Sequence, residues 1–129
     1  VVHDLLAFLA ERMIEMNREK QGETKGFLEW LEFAIGAKIE NLKNKTRIRA
    51  YDEDSFKELL EVLKENSKAL KQNPSSKDFY EVLKDAFQKS VTKLSPLKSQ
   101  LAITDRLIDL IVYHLYGLNE EEIKVVERS

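Results

Sequence analysis

The sequence predicts an all-α protein built from antiparallel helical hairpins with one long coiled-coil-like helical arm. Three observations carry that expectation. Four glycines and two prolines are spread over 129 residues, well under the roughly 12% that ordinary chains devote to these two helix breakers. Apolar residues recur three and four positions apart through most of the chain, the spacing that lines one face of an α-helix. Hydrophobic residues make up 43% and charged residues 34%, a balance too apolar for disorder and suited to about one soluble domain.

Residues 1–36 read as a helical hairpin. Val2, Leu6, Leu9, Met13 and Met16 form the first stripe, flanked by Leu5, Phe8 and Ile14. Gly22 is placed to end that helix in a left-handed conformation, and Thr24 to cap a second. Phe27, Leu28, Trp30, Leu31, Ala34 and Ile35 then supply its apolar face up to Gly36, antiparallel to the first because the connection is short. Trp30, the single tryptophan, reads as a packing residue rather than a ligand-stacking one.

Residues 37–54 read as a basic connector. Asn41, Asn44 and Thr46 favour turns, and the alternation of bases from Lys45 to Arg49 suits an extended strand or arm. A helix over 55–72 opens on Ser55-x-x-Glu58, a capping box, presents Phe56, Leu59, Leu60 and Leu63, and ends near Leu70. Asn73-Pro74-Ser75-Ser76 breaks the chain.

The longest pattern, residues 76–116, is the helical arm. Its heptad a positions are Tyr80, Phe87, Leu94, Leu101, Ile108 and Leu115; its d positions are Leu83, Ser90, Leu97, Thr104 and Ile111. Sustained over five heptads, this is coiled-coil patterning. Leu94, Leu97, Leu101, Ile108, Ile111 and Leu115 form the packing seam. Ser95-Pro96 suits an N-cap followed by the first helical residue, so two abutting helices sharing one seam are expected. Gly117 closes the second, and Asn119-x-x-Glu122 caps a short terminal helix over 119–127.

Chemistry is sparse. The absence of cysteine excludes disulfides, cysteine-ligated zinc and a thiol nucleophile, and two histidines leave little for a metal site or triad. No glycine-rich loop follows a strand. Asp105 and Asp109, one turn apart around Arg106, read as a solvated ion-pair face. His114 and His3 lack any partner for catalysis. No catalytic, cofactor-binding or metal-binding residue is assigned.

One segment stands out by charge. Lys38, Lys43, Lys45, Arg47 and Arg49 face Glu40 alone over residues 36–50, a local excess of positive charge in a chain of net charge −2. Lys43, Lys45, Arg47 and Arg49 are the candidates for contact with phosphates. The plainer reading is a solvated loop or edge strand shielded by its charges. No apolar run has the roughly 18 residues of a membrane span, and no secretory pattern opens the chain, so a cytoplasmic location is expected. Val1 and Val2 already stand inside an apolar helical pattern, which reads as a fragment of a longer polypeptide.

Residues 104–123, Thr-Asp-Arg-Leu-Ile-Asp-Leu-Ile-Val-Tyr-His-Leu-Tyr-Gly-Leu-Asn-Glu-Glu-Glu-Ile, resemble a closing signature of large type II (IIG-like) restriction-modification proteins with an N6-adenine DNA methyltransferase core. It is similar to the end of their target-recognition region. His3-Asp4-Leu5-Leu6, Met13-Ile14-Glu15-Met16-Asn17 and Gly26-Phe27-Leu28-Glu29-Trp30-Leu31-Glu32 resemble segments that follow the recognition domain there. Related Tyr-x-Leu-Tyr-Gly-Leu endings also close modules in specificity subunits, and Asn119 stands where threonine is common. The Asn-Pro-Pro-aromatic loop of such methyltransferases is not matched by Asn73-Pro74-Ser75-Ser76, which lacks the second proline and the aromatic. The resemblance implies a non-catalytic helical module that supports or spaces the recognition domain. It further implies DNA as a partner through the parent protein, contact with the methyltransferase core and recognition domain of the same polypeptide, and S-adenosylmethionine bound elsewhere in that parent. A stand-alone helical interaction module, homodimeric through the 80–115 seam, is the alternative.

Overall fold

Thr24 does not cap a second helix. Its hydroxyl turns back onto the carbonyl oxygens of Lys20 and Gln21, both at 3.1 Å, the bonding of a threonine inside a helix. Helix α1 therefore runs unbroken over Val2–Ile35, and the hairpin expected within residues 1–36 is one continuous helix. Gly22 lies in its interior, where a helical glycine is merely less favourable than alanine. The chain leaves the helix at Gly36, whose φ of 67° is the left-handed value that suits glycine.

This computed structural model describes residues 1–128, and among them there is helix and no strand. Helices α2 (Lys45–Arg49), α3 (Phe56–Glu65), α4 (Lys77–Leu115) and α5 (Glu120–Arg128) follow α1, with single 3-10 turns at residues 39–41, 51–53 and 67–69. Three more expectations change. The basic alternation at 45–49 forms helix α2, not an extended arm. Asn44 adopts φ 58°, ψ 36°, and its carbonyl accepts from the N–H groups of Arg47 and Ile48, which starts a helical turn that buries Ile48. Helix α3 stops at Glu65 because Asn66 turns its side chain inward: its Nδ2 donates to the Val62 and Lys43 carbonyls at 2.9 and 3.0 Å, and its Oδ1 accepts from the Lys43 N–H at 2.8 Å. Pro96 sits inside α4, so the two abutting helices expected there are one.

The chain forms two compact units. The core unit comprises Lys20–Pro96; the terminal unit combines Val1–Glu19 with the residues from Leu97 onward.

In the core unit α1 and α4 pack antiparallel. Lys93 lies 3.9 Å from Glu23, and one turn along, the Phe27 and Phe87 rings are 6.5 Å apart. Tyr51 completes a three-ring cluster with them, 4.1 Å from Phe27 and 6.1 Å from Phe87 by ring centroids. Leu31 and Ile35 of α1, Ile48 of α2, Leu59 and Leu63 of α3, and Leu83 and Leu94 of α4 complete a single buried cluster. Trp30 packs against its edge, as its place in the apolar stripe predicts. The heptad pattern thus faces the molecule's own interior here: Leu83, Phe87, Ser90 and Leu94 are all buried.

In the terminal unit the same α4 seam continues through Leu97, Leu101, Thr104, Ile108 and Ile111, each half-buried, while Leu115 is exposed. Leu6, Leu9 and Met13 of α1 are half-buried and Met16 is buried. Helix α4 ends as the sequence predicts. Gly117, at φ 67°, donates to the His114 carbonyl and Leu118 donates to that of Tyr113, each at 3.0 Å, the paired bonds of a glycine-stopped helix. Asn119 and Glu122 cap α5 reciprocally: the Glu122 N–H donates to Asn119 Oδ1 at 2.8 Å, and the Asn119 N–H donates to Glu122 Oε1 at 3.2 Å.

Candidate interaction surfaces

The four cations singled out by charge do not share one environment. The Glu40 carboxylate accepts from Lys45 Nζ at 2.8 Å and from the Arg49 guanidinium. Hydrogen bonds from these two cations hold Glu40 down at about 2. Arg47 lies 4.0 Å from Asp54 and 3.8 Å from Glu58. The neighbouring Asp54 carboxylate raises the Glu58 pKa. Only the Ser55 half of the expected capping box forms, with the Glu58 N–H 3.3 Å from Ser55 Oγ. Lys43 is held by its backbone on Asn66, and among the described residues its ammonium has no carboxylate partner. Folding therefore gives three of the four predicted phosphate contacts an anionic neighbour and leaves one open.

The terminal unit carries a different surface. Ile103, Leu107 and Leu110 are 61%, 44% and 41% exposed. Their spacing of four and three places them along one face of α4, distinct from the half-buried seam of Leu101, Ile108 and Ile111. Phe8 of α1 is 57% exposed in the same unit. Arg106, between Asp105 and Asp109, bonds instead to Glu127 of α5, which raises its pKa. The expected ion-pair face is thus a tie between α4 and α5. The sequence held the signal for the second stripe, but a heptad frame selects one seam and sets its flanking positions aside.

A third surface belongs to the core unit, an open groove of about 480 Å³ lined by Trp30, Phe33, Ala34, Gln72, Asp78, Phe79 and Val82. Phe33 stands 86% exposed at its rim. No cluster of three or more histidine, cysteine or acidic side chains suited to a metal occurs among the described residues, and no helix there is long and apolar enough to cross a membrane.

Fold and surfaces together define an all-α module that presents an uncovered apolar helix face on one unit and a partly neutralised basic segment on the other. Residues 3–112 match the model of a domain of unknown function, DUF8810, and the chain belongs to that family. No curated protein and no solved structure matches the chain.

Proposed function

We propose that this chain is a non-catalytic helical module of a cytoplasmic DNA restriction-modification methyltransferase. In this reading it holds the target-recognition domain against the methyltransferase core, and S-adenosylmethionine binds elsewhere in that parent polypeptide. One observation carries the reading: the exposed stripe of Ile103, Leu107 and Leu110 overlaps the 104–123 segment that resembles the end of the recognition region in type II enzymes. An exposed apolar helix face is the kind of surface that a neighbouring domain covers. Contact between the basic connector and duplex phosphates belongs to the same reading, as a source of affinity without sequence choice.

The test uses the whole polypeptide that carries this chain. Adenine methylation of duplex DNA is expected, and is expected to fall roughly ten- to a hundredfold in the Ile103→Gln/Leu107→Gln/Leu110→Gln variant, because a misplaced recognition domain displaces the target base. Helix content of the 129-residue chain should be unchanged, the three positions being exposed already. A parent without adenine methylation, or a variant with full activity, overturns the reading. A dimer of the chain in sedimentation, abolished by the same triple substitution, would favour the alternative of an independent helical interaction module. The full 80–115 seam is poorly suited to that role, since Leu83, Phe87, Ser90 and Leu94 are buried in the chain's own core.

A further inference from the structure

Asn66 and Gly36 bring two stretches of the core unit side by side. Asn66 grips both backbone polar groups of Lys43, so the turn Ser67-Lys68-Ala69 starts one residue beyond that contact. A few residues on, the Lys71 N–H donates to the carbonyl of Ile35 at 2.8 Å. The aliphatic part of Lys71 then crosses Gly36 so closely that a Cβ there would lie 2.6–2.8 Å from its side-chain carbons. Lys38 follows Gly36 by two residues.

Lys38, Lys43, Lys68 and Lys71 are thus gathered where the end of α1 meets the turn after α3, and all four are exposed. Over residues 36–43 and 66–73 they are opposed by Glu40 alone, and Glu40 already accepts from Lys45 and Arg49. The nearby carboxylates are engaged as well: Glu32 accepts the Ile39 N–H at 2.9 Å and Glu65 accepts from Asn44 Nδ2 at 2.8 Å. Among the described residues, none of the four lysines makes an ion pair.

We propose that Lys38, Lys43, Lys68 and Lys71 form a binding surface for the phosphodiester backbone of duplex nucleic acid, in place of the carboxylate-paired Lys45, Arg47 and Arg49. Unpaired ammonium groups release counterions from a duplex without first giving up an internal partner. Point-charge lysines on an open surface also suit backbone contact better than reading of base edges. The proposal deepens the phosphate-contact part of the function above. It is independent of the docking stripe, because every residue involved lies in the core unit.

The experiment measures binding of the 129-residue chain to a labelled duplex of arbitrary sequence across a range of salt, with DNA and RNA duplexes as separate arms to identify the source of the phosphates. Affinity is expected to fall with salt. In the Lys38→Gln/Lys43→Gln/Lys68→Gln/Lys71→Gln variant the log–log slope should shrink by up to about 3–4, near 0.9 for each phosphate left without its lysine. The Lys45→Gln/Arg47→Gln/Arg49→Gln variant should change the slope by less. Circular dichroism establishes that both variants fold, and glutamine at 71 keeps two of the three methylenes that cross Gly36. No duplex binding by the unsubstituted chain, a quadruple variant with an unchanged slope, a larger loss in the paired set, or competition by polyglutamate as effective as by duplex each overturns the proposal. Duplex binding lost in the quadruple variant, with methylation lost only in the stripe variant, would separate this surface from the docking reading.

Discussion

Gly36 carries two constraints that the glycines inside α1 do not. Its φ is +67°, and an added Cβ would meet three carbons of Lys71 below 3.0 Å. Gly36→Ala should therefore lower stability by at least the ~1–2 kcal/mol that a left-handed residue costs, read as a drop in melting temperature. Gly22 and Gly26 have nothing within 4 Å of such a Cβ and lie inside α1, so alanine at either should stabilise by about 0.5–1 kcal/mol. Tyr51 and Ser90 form another pair whose effects oppose. They share a buried 2.6 Å hydrogen bond, so Ser90→Ala leaves the phenol unpaired and should cost about 1–3 kcal/mol. Tyr51→Phe combined with Ser90→Ala removes both polar partners and should cost less. Burial pushes the Tyr51 hydroxyl up from 10.0 to about 12. The folded protein therefore favours the neutral phenol, and its stabilising effect is complete below pH 10 and lost as pH rises toward 12. Alkaline melting curves should flatten over that window in Tyr51→Phe. Glu40 runs the other way. Its value falls from 4.5 to about 2, so its contribution is present above pH 4.5 and lost as pH falls toward 2. Glu40→Gln should remove that acid dependence and, by releasing Lys45 and Arg49, tighten duplex binding.

Among the elements, the two capped helices give a graded test of capping. Asn119 and Glu122 make both bonds of the box, whereas Ser55 makes one, at 3.3 Å. Asn119→Ala should fray α5 at a cost of about 1 kcal/mol, and Ser55→Ala should lie toward the lower end of the ~0.5–2 kcal/mol range for lost caps. Amide exchange at Ile123 and Leu59, the next N–H groups inside each helix, reads the difference. The helix ends at Gly36, Gly117 and Asn119 were legible in the sequence because each depends on a local backbone property. The turn at Asn44 was legible too, but Thr24 and Asn66 were not, because the roles of these small polar residues depend on what surrounds them. Thr24 bonds within its own helix, and Asn66 finds its partner 23 positions away. The ion pairs of the basic segment were hidden for a related reason. A local charge excess records which cations are near in sequence, while Asp54 and Glu58, which approach Arg47, lie outside that window.

Across the whole molecule, the apolar residues are divided unevenly, and stability should follow that division. Every buried hydrophobic residue except Met16 belongs to the core unit, although α1 and α4 each contribute to both units. In proteins most of a helix's stability comes from tertiary packing of its apolar face rather than from its own propensity. Half-buried seam residues supply less of that support than the closed cluster around Tyr51 and Phe87. Continuity of a helix does not equalise its local opening energy, so exchange protection along α4 should decline past Pro96. Amides in residues 2–19 and 97–115 should then exchange about a hundredfold faster than those at Leu31, Leu63 and Leu83. Native-state hydrogen exchange of the 129-residue chain measures this directly, and uniform protection along α4 would contradict it. The docking reading adds a second condition to the same measurement. In the intact parent polypeptide, covering Ile103, Leu107 and Leu110 should raise protection across the terminal unit toward that of the core unit, since a ligand that binds the closed form stabilises it. The Ile103→Gln/Leu107→Gln/Leu110→Gln variant should lose that gain in the parent while exchanging like the unsubstituted chain in isolation. An exposed face with no occupant would leave both exchange patterns the same in parent and isolated chain.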